Sequence, residues 1–146
     1  AVQSRKTSYN LWTKAEAFQV INERAEEILK KIGLWSKRDV LTAYLSYGDQ
    51  RHLEIGIALG TSPSLLLLDE PTSGLSPSET KETVSLIKEI AKGISVILVE
   101  HKMKVVMDLS DKITVLHEGQ IIAIGNPEQI QQNETVRKVY LGGIKK

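Results

Sequence analysis

Cysteine is absent, which excludes disulfides and thiolate metal sites and is compatible with a reducing compartment. No apolar run approaches the ~20 residues that a membrane-spanning helix requires. The opening AVQSRKTSYN has no apolar core of the kind a secretory signal carries. Charge of one sign is missing as well: 19 Lys and Arg stand against 18 Asp and Glu, a formal net charge of +1. A bulk field that would draw nucleic acid or an anionic membrane is therefore excluded, leaving room only for a local basic patch. Internal repeats and low-complexity tracts are also lacking. What is present is an ordinary globular composition, 41% hydrophobic and 25% charged, in 146 residues, enough for one domain with one core.

The most informative stretch is LLLLDEPTSGLSP, from Leu65 to Pro77. Four leucines running into Asp69 and Glu70 predict a short strand buried on both faces, as in a parallel α/β sheet. Ligands bind just outside the carboxyl ends of parallel strands, so an acidic pair there is placed for chemistry. Asp69 suits a hard cation such as Mg²⁺, and Glu70 suits the orientation and deprotonation of a water. A strand that merely ends in solvated acids is the competing reading.

Around this strand the chain reads as alternating elements. Thr13 and Glu16 have capping-box spacing, and Phe18, Ile21, Ala25, Ile28, Leu29 and Ile32 recur at helical intervals, predicting a helix over about 14–31, stopped by Gly33. Residues 1–12 read as a ragged arm, and Ser36 to Tyr44 as a second, short helix. Leu45-Ser46-Tyr47-Gly48-Asp49-Gln50 then opens a helix over roughly 49–60. A serine and a glycine at a helix start either bind phosphate, through a hydroxyl and free N–H groups at the positive dipole end, or form a plain N-cap. Pro71 takes the chain out of the sheet, and Ser76, Pro77 and Glu79 start a well-capped helix that Gly93 ends. With the strand from Ser95 to Glu100 this makes a right-handed βαβ unit. His101 follows that strand, where a histidine is a surface or capping residue or, beside Glu70, a donor to phosphate. His52 and His117 read as structural or solvated. A helix over 102–109, a hairpin over 112–117 and 120–124 turning at Glu118-Gly119, and helices over 127–131 and 134–140 complete the chain.

Gly48 lies twenty-one residues before Asp69 and His101 thirty-two after it. With LSYGDQ, LLLLDE, SGLSP and the histidine in this order, the sequence resembles the ATP-binding cassette family: signature, Walker B strand, D-loop and switch histidine. The resemblance implies an α/β fold of the P-loop NTPase kind, here part of a helical subdomain (1–60) plus the C-terminal half of a RecA-like core (61–146). It implies ATP and Mg²⁺ as cofactors, with Asp69 on the metal, Glu70 as general base and His101 sensing the γ-phosphate. Ser46, Tyr47, Gly48, Asp49 and Gln50 would face nucleotide held by a second ATP-binding subunit in a head-to-tail dimer, and Ser73, Gly74 and Leu75 of the D-loop are also implied nucleotide-binding residues. The usual signature is LSGGQ; here Tyr47 replaces the first glycine, and Asp49 brings a carboxylate near the phosphate unless it faces away. Other implied partners are transmembrane permease subunits, and the implied location is peripheral, on the cytoplasmic face of the cell membrane.

The segment from Val99 to Ile130 and the tail VRKVYLGG resemble the subunits that energise branched-chain amino-acid import; urea and short-amide importers and the lipopolysaccharide exporter have similar tails. An SMC-type chromosome ATPase lobe, the reading from another class, would need sustained heptads before Leu45, and residues 1–44 hold none. No G-x-x-x-x-G-K-[S/T] loop is present, nor a match to the family's adenine-stacking aromatic or glutamine loop. The expectation is therefore a C-terminal portion of a cassette that is inactive alone. Its leucine strand would leave an apolar sheet edge open to self-association.

Overall fold

The computed structural model describes residues 15–140. The Thr13 cap, the arm at 1–12 and the end of the tail lie outside the described residues. Two compact units divide after Val99.

In the first unit, α1 spans Ala15–Lys31. It ends as expected at Gly33, where Gly33 N donates to Lys30 O and Leu34 N to Leu29 O, a Schellman close. Ile28 is buried on it, and Ile32 and Leu34, just past its end, are buried beside it. The helix expected over 36–44 is replaced by two 3₁₀ turns, Trp35–Lys37 and Thr42–Tyr44, separated by an extended Leu41. Residues 36–44 are all exposed, so no apolar face was available to stabilise a helical run. Trp35 instead lies between Lys30 Nζ, 5.5 Å from its ring centre, and the Arg38 guanidinium at 4.7 Å.

Helix α2 (Tyr47–Leu59) begins two residues earlier than expected, because Ser46 takes the cap position. Strand β1 (Leu65–Asp69), helix α3 (Pro77–Ala91) and strand β2 (Ser95–Val99) follow. The strands pair in parallel, Leu65 opposite Ser95 through Asp69 opposite Val99. The expectation of burial on both faces is overturned. Leu66 is buried, but on the other face Leu67 is 67% exposed, Ile97 53% and Val99 58%. One face is thus in the core and the other is bare apolar surface.

The second unit holds α4 (Met103–Leu109), an antiparallel hairpin of β3 (Ile113–His117) and β4 (Gln120–Gly125), α5 (Pro127–Gln132) and α6 (Glu134–Tyr140). Glu118 and Gly119, both with positive φ, make the two-residue turn. Ile113 and Val115 pack with Ile130 and Val136, and Met103, Val106 and Met107 close over them. Asn126 and Gln129 form a reciprocal capping box. No helix among the described residues is long and apolar enough to cross a membrane.

Candidate functional site

The acidic pair ends β1. Glu70 N donates to Val99 O at 2.9 Å, a last rung of the ladder, and Glu70 then turns into the left-handed region with φ +44°. A non-glycine residue there carries a backbone cost of order 1 kcal/mol, and such residues cluster where a side chain must be aimed. Both Asp69 and Glu70 are exposed at the strand's carboxyl end. Ser73 N donates back to Glu70 O at 3.0 Å, closing a turn over the fully buried Thr72. Gly74 follows with φ +74°, then Leu75 and the cap residue Ser76.

Ser46, Tyr47, Gly48, Asp49 and Gln50 form the start of α2. Ser46 Oγ accepts from Asp49 N at 3.1 Å, so its geometry is that of the N-cap reading. Tyr47 is half exposed, and its ring lies over the turn after β1: a Cβ at Gly74 would stand 3.0 Å from Tyr47 Cε1. Arg51 donates to the Tyr47 hydroxyl at 2.7 Å and to Glu54 at 2.8 Å. Asp49 turns to Lys37, with Nζ and Oδ2 2.5 Å apart. Partial burial pushes its carboxyl up, but the hydrogen bonds from Lys37 and Ser46 outweigh that and hold it below the ordinary range. Gln50 donates to the Leu45 carbonyl at 3.1 Å.

Gly48 is buried against Glu79 of α3: a Cβ there would stand 2.8 Å from Glu79 Oε1. The other carboxylate oxygen, Oε2, accepts from Ser76 N at 2.9 Å and from Ser76 Oγ at 2.6 Å. These Ser76 bonds, helped by the Gly48 N–H, hold the Glu79 carboxyl below its usual pKa. The capping-box spacing reveals Glu79 as a cap of its own helix, but no local pattern points to Gly48, thirty-one residues away.

His101 belongs to the second unit, exposed, with its backbone N–H donating to Glu100 Oε2 at 3.1 Å. His52 Nε2 lies 3.0 Å from the hydroxyl of the fully buried Thr83. Among the described residues no group of three or more His, Cys, Asp or Glu could hold a metal. One or two carboxylates are what magnesium takes from protein when water and phosphate complete its shell, so Asp69 and Glu70 fit that ion by donor chemistry. They do not fit an all-protein cage.

The site is thus a parallel βαβ unit with an acidic pair at its strand end and a capped helix start packed on the following turn. The ABC transporter family model matches residues 2–73, and the Branched-chain amino acid ATP-binding cassette transporter model matches residues 120–144. The chain belongs to the ABC transporter ATPase family and has part of its P-loop NTPase fold. Over 122 residues it is 45% identical to the high-affinity branched-chain amino acid transport ATP-binding protein LivG of Escherichia coli (strain K12), covering 82% of this chain and 48% of that protein. It is 36% identical to the lipopolysaccharide export system ATP-binding protein LptB of Acidithiobacillus ferridurans, covering 82% of this chain and 50% of that one. The ADP conformation of MJ1267, an ATP-binding cassette of an ABC transporter, superposes with TM-score 0.76 at 31% identity, covering 92% of this chain and 54% of the other. The chain spans about half the length of the curated relatives it matches.

Proposed function

We propose that this chain is the C-terminal portion of the ATP-hydrolysing subunit of a branched-chain amino-acid importer, peripheral on the cytoplasmic face of the membrane. The observation that carries the reading is Glu70: an exposed carboxylate at the carboxyl end of a parallel strand, held in left-handed backbone, directly after Asp69. Asp69 holds Mg²⁺ and Glu70 takes the proton of the attacking water. Ser46, Tyr47, Gly48, Asp49 and Gln50 face nucleotide on a second subunit, Ser73, Gly74 and Leu75 belong to the nucleotide-binding surface, and His101 serves as a γ-phosphate sensor. Because Asp49 is tied to Lys37, its charge is compensated within the chain rather than set against phosphate. Permease subunits complete the assembly, and the functional division falls at 60/61, between the helical subdomain and the core. Support for this solute comes from the 45% identity to LivG, a high-affinity branched-chain amino acid transport ATP-binding protein, and from the branched-chain family match at 120–144. The likeness to LptB supports lipopolysaccharide export as the second reading.

Two measurements test this. The chain alone is expected to give no stoichiometric ATP binding in calorimetry and to self-associate in light scattering through its open β1–β2 pair; tight binding by a strict monomer contradicts both expectations. Joined behind the N-terminal half of the E. coli relative, it is expected to restore ATP turnover, which Glu70→Gln abolishes while binding persists. Unchanged turnover in that variant removes Glu70 from the chemistry.

A further inference from the structure

We propose that Glu79 is a positioning residue whose one carboxylate joins the N-terminal ends of α2 and α3, and that it is the reason position 48 has to be glycine. The two oxygens divide the task. Oε2 accepts from the Ser76 N–H and hydroxyl at 2.9 and 2.6 Å, which closes the α3 capping box. Oε1 faces Gly48, where a Cβ would stand 2.8 Å from Oε1 and 3.1 Å from both Cδ and Cγ. The end of a free glutamate could swing away from an added methyl; this one is held by the box. Gly48 is buried and helical, its φ is not positive, and so no backbone demand calls for glycine there. The ring of Tyr47 over Gly74 ties the same two segments a second time. Residues 46–48 therefore meet 73–79 at two points, Gly48 at Glu79 and Tyr47 at Gly74.

The functional meaning of the Gly48–Glu79 contact rests on the reading of 46–48 as phosphate-facing; the contact itself does not. Gly48 has two competing causes, close approach of a ligand from outside and close approach of Glu79 from within, and a double-mutant cycle on the whole chain separates them. Gly48→Ala is expected to lower the urea midpoint in the wild-type background. In a Glu79→Ala background the same change is expected to leave the midpoint unchanged or raise it, since the colliding atoms are gone and alanine favours a helix over glycine. An equal loss in both backgrounds overturns the proposal. Should Gly48→Ala fail to fold, recovery of the helical circular dichroism signal in the double variant carries the same decision.

A pH profile supplies a readout that packing alone would not move. The amide resonances of Gly48 and Ser76 are expected to titrate together, with a midpoint below the ordinary carboxylate range, and to stop doing so in Glu79→Gln. Asp49, the charged neighbour, is itself paired with Lys37, so its own titration is identified by its loss in Asp49→Asn. Independent titration of the two amides overturns the shared carboxylate. If the cycle is non-additive while Ser46→Ala and Glu70→Gln leave turnover of the joined subunit intact, the phosphate-facing reading fails and the contact stands.

Discussion

Glu70 and Glu118 adopt nearly the same backbone, φ +44° and +48°, for different reasons. At Glu118 the two-residue hairpin turn needs positive φ, and nothing in the turn uses the glutamate side chain for it. Asparagine tolerates that conformation better, so Glu118→Asn is expected to raise stability by about 0.5–1 kcal/mol, read as a higher urea midpoint at unchanged slope. At Glu70 the same cost persists directly after Asp69, at the carboxyl end of β1. Polar pairing in the interior gives a second case. Thr83→Val keeps the shape of a fully buried side chain but removes the hydroxyl 3.0 Å from His52 Nε2, and is expected to cost about 1–2 kcal/mol in equilibrium unfolding. The strand-end acids, Ser46, Gly48 and His101 were all legible as candidates, because each breaks a local pattern. The contacts of Tyr47 with Gly74 and of Asp49 with Lys37 were not, since each partner lies on another segment.

Helix α3 shows local sequence at its most informative. Ser76, Pro77 and Glu79 predict its start, and the reciprocal cap is there. Ser76→Ala is expected to cost ~1 kcal/mol, checked by chemical denaturation. The β1–β2 pair shows the opposite limit. Four consecutive leucines carry no period from which to tell a face that is covered from one that is bare. The structure separates them: Leu66→Ala is expected to cost about 2–5 kcal/mol, while Leu67→Thr on the bare face is expected to stay within about 0.5 kcal/mol and to reduce self-association in light scattering. The 36–44 segment failed for want of a buried side. Its residues pass as helix formers, but isolated short helices are not stable without packing.

Among the described residues, the carboxyls of Asp49, Glu79 and Glu89 are held below the ordinary carboxylate range. For Glu89 the main cause is the hydrogen bond from Lys92. Each binds its proton less readily when folded than when unfolded, so the unfolded chain takes up more protons in acid. Their stabilising contribution is present above the unfolded carboxylate pKa values and is lost as pH falls through the lowered folded ones. The urea midpoint is therefore expected to hold between pH 7 and about 5 and to fall below that, less steeply in high salt where the group is exposed, as Glu89 is. A midpoint that rises on acidification contradicts the assignment.

The amino-acid sequence by itself determined the family, through motifs set in order along the chain, and, in residues a few positions apart, the capped start of α3 and the hairpin turn. Only the tertiary structure decided which leucine is buried, where Asp49 turns its charge, and that the carboxylate capping α3 also presses on Gly48. Those outcomes depend on which distant surfaces meet, and spacing along a chain holds no record of that.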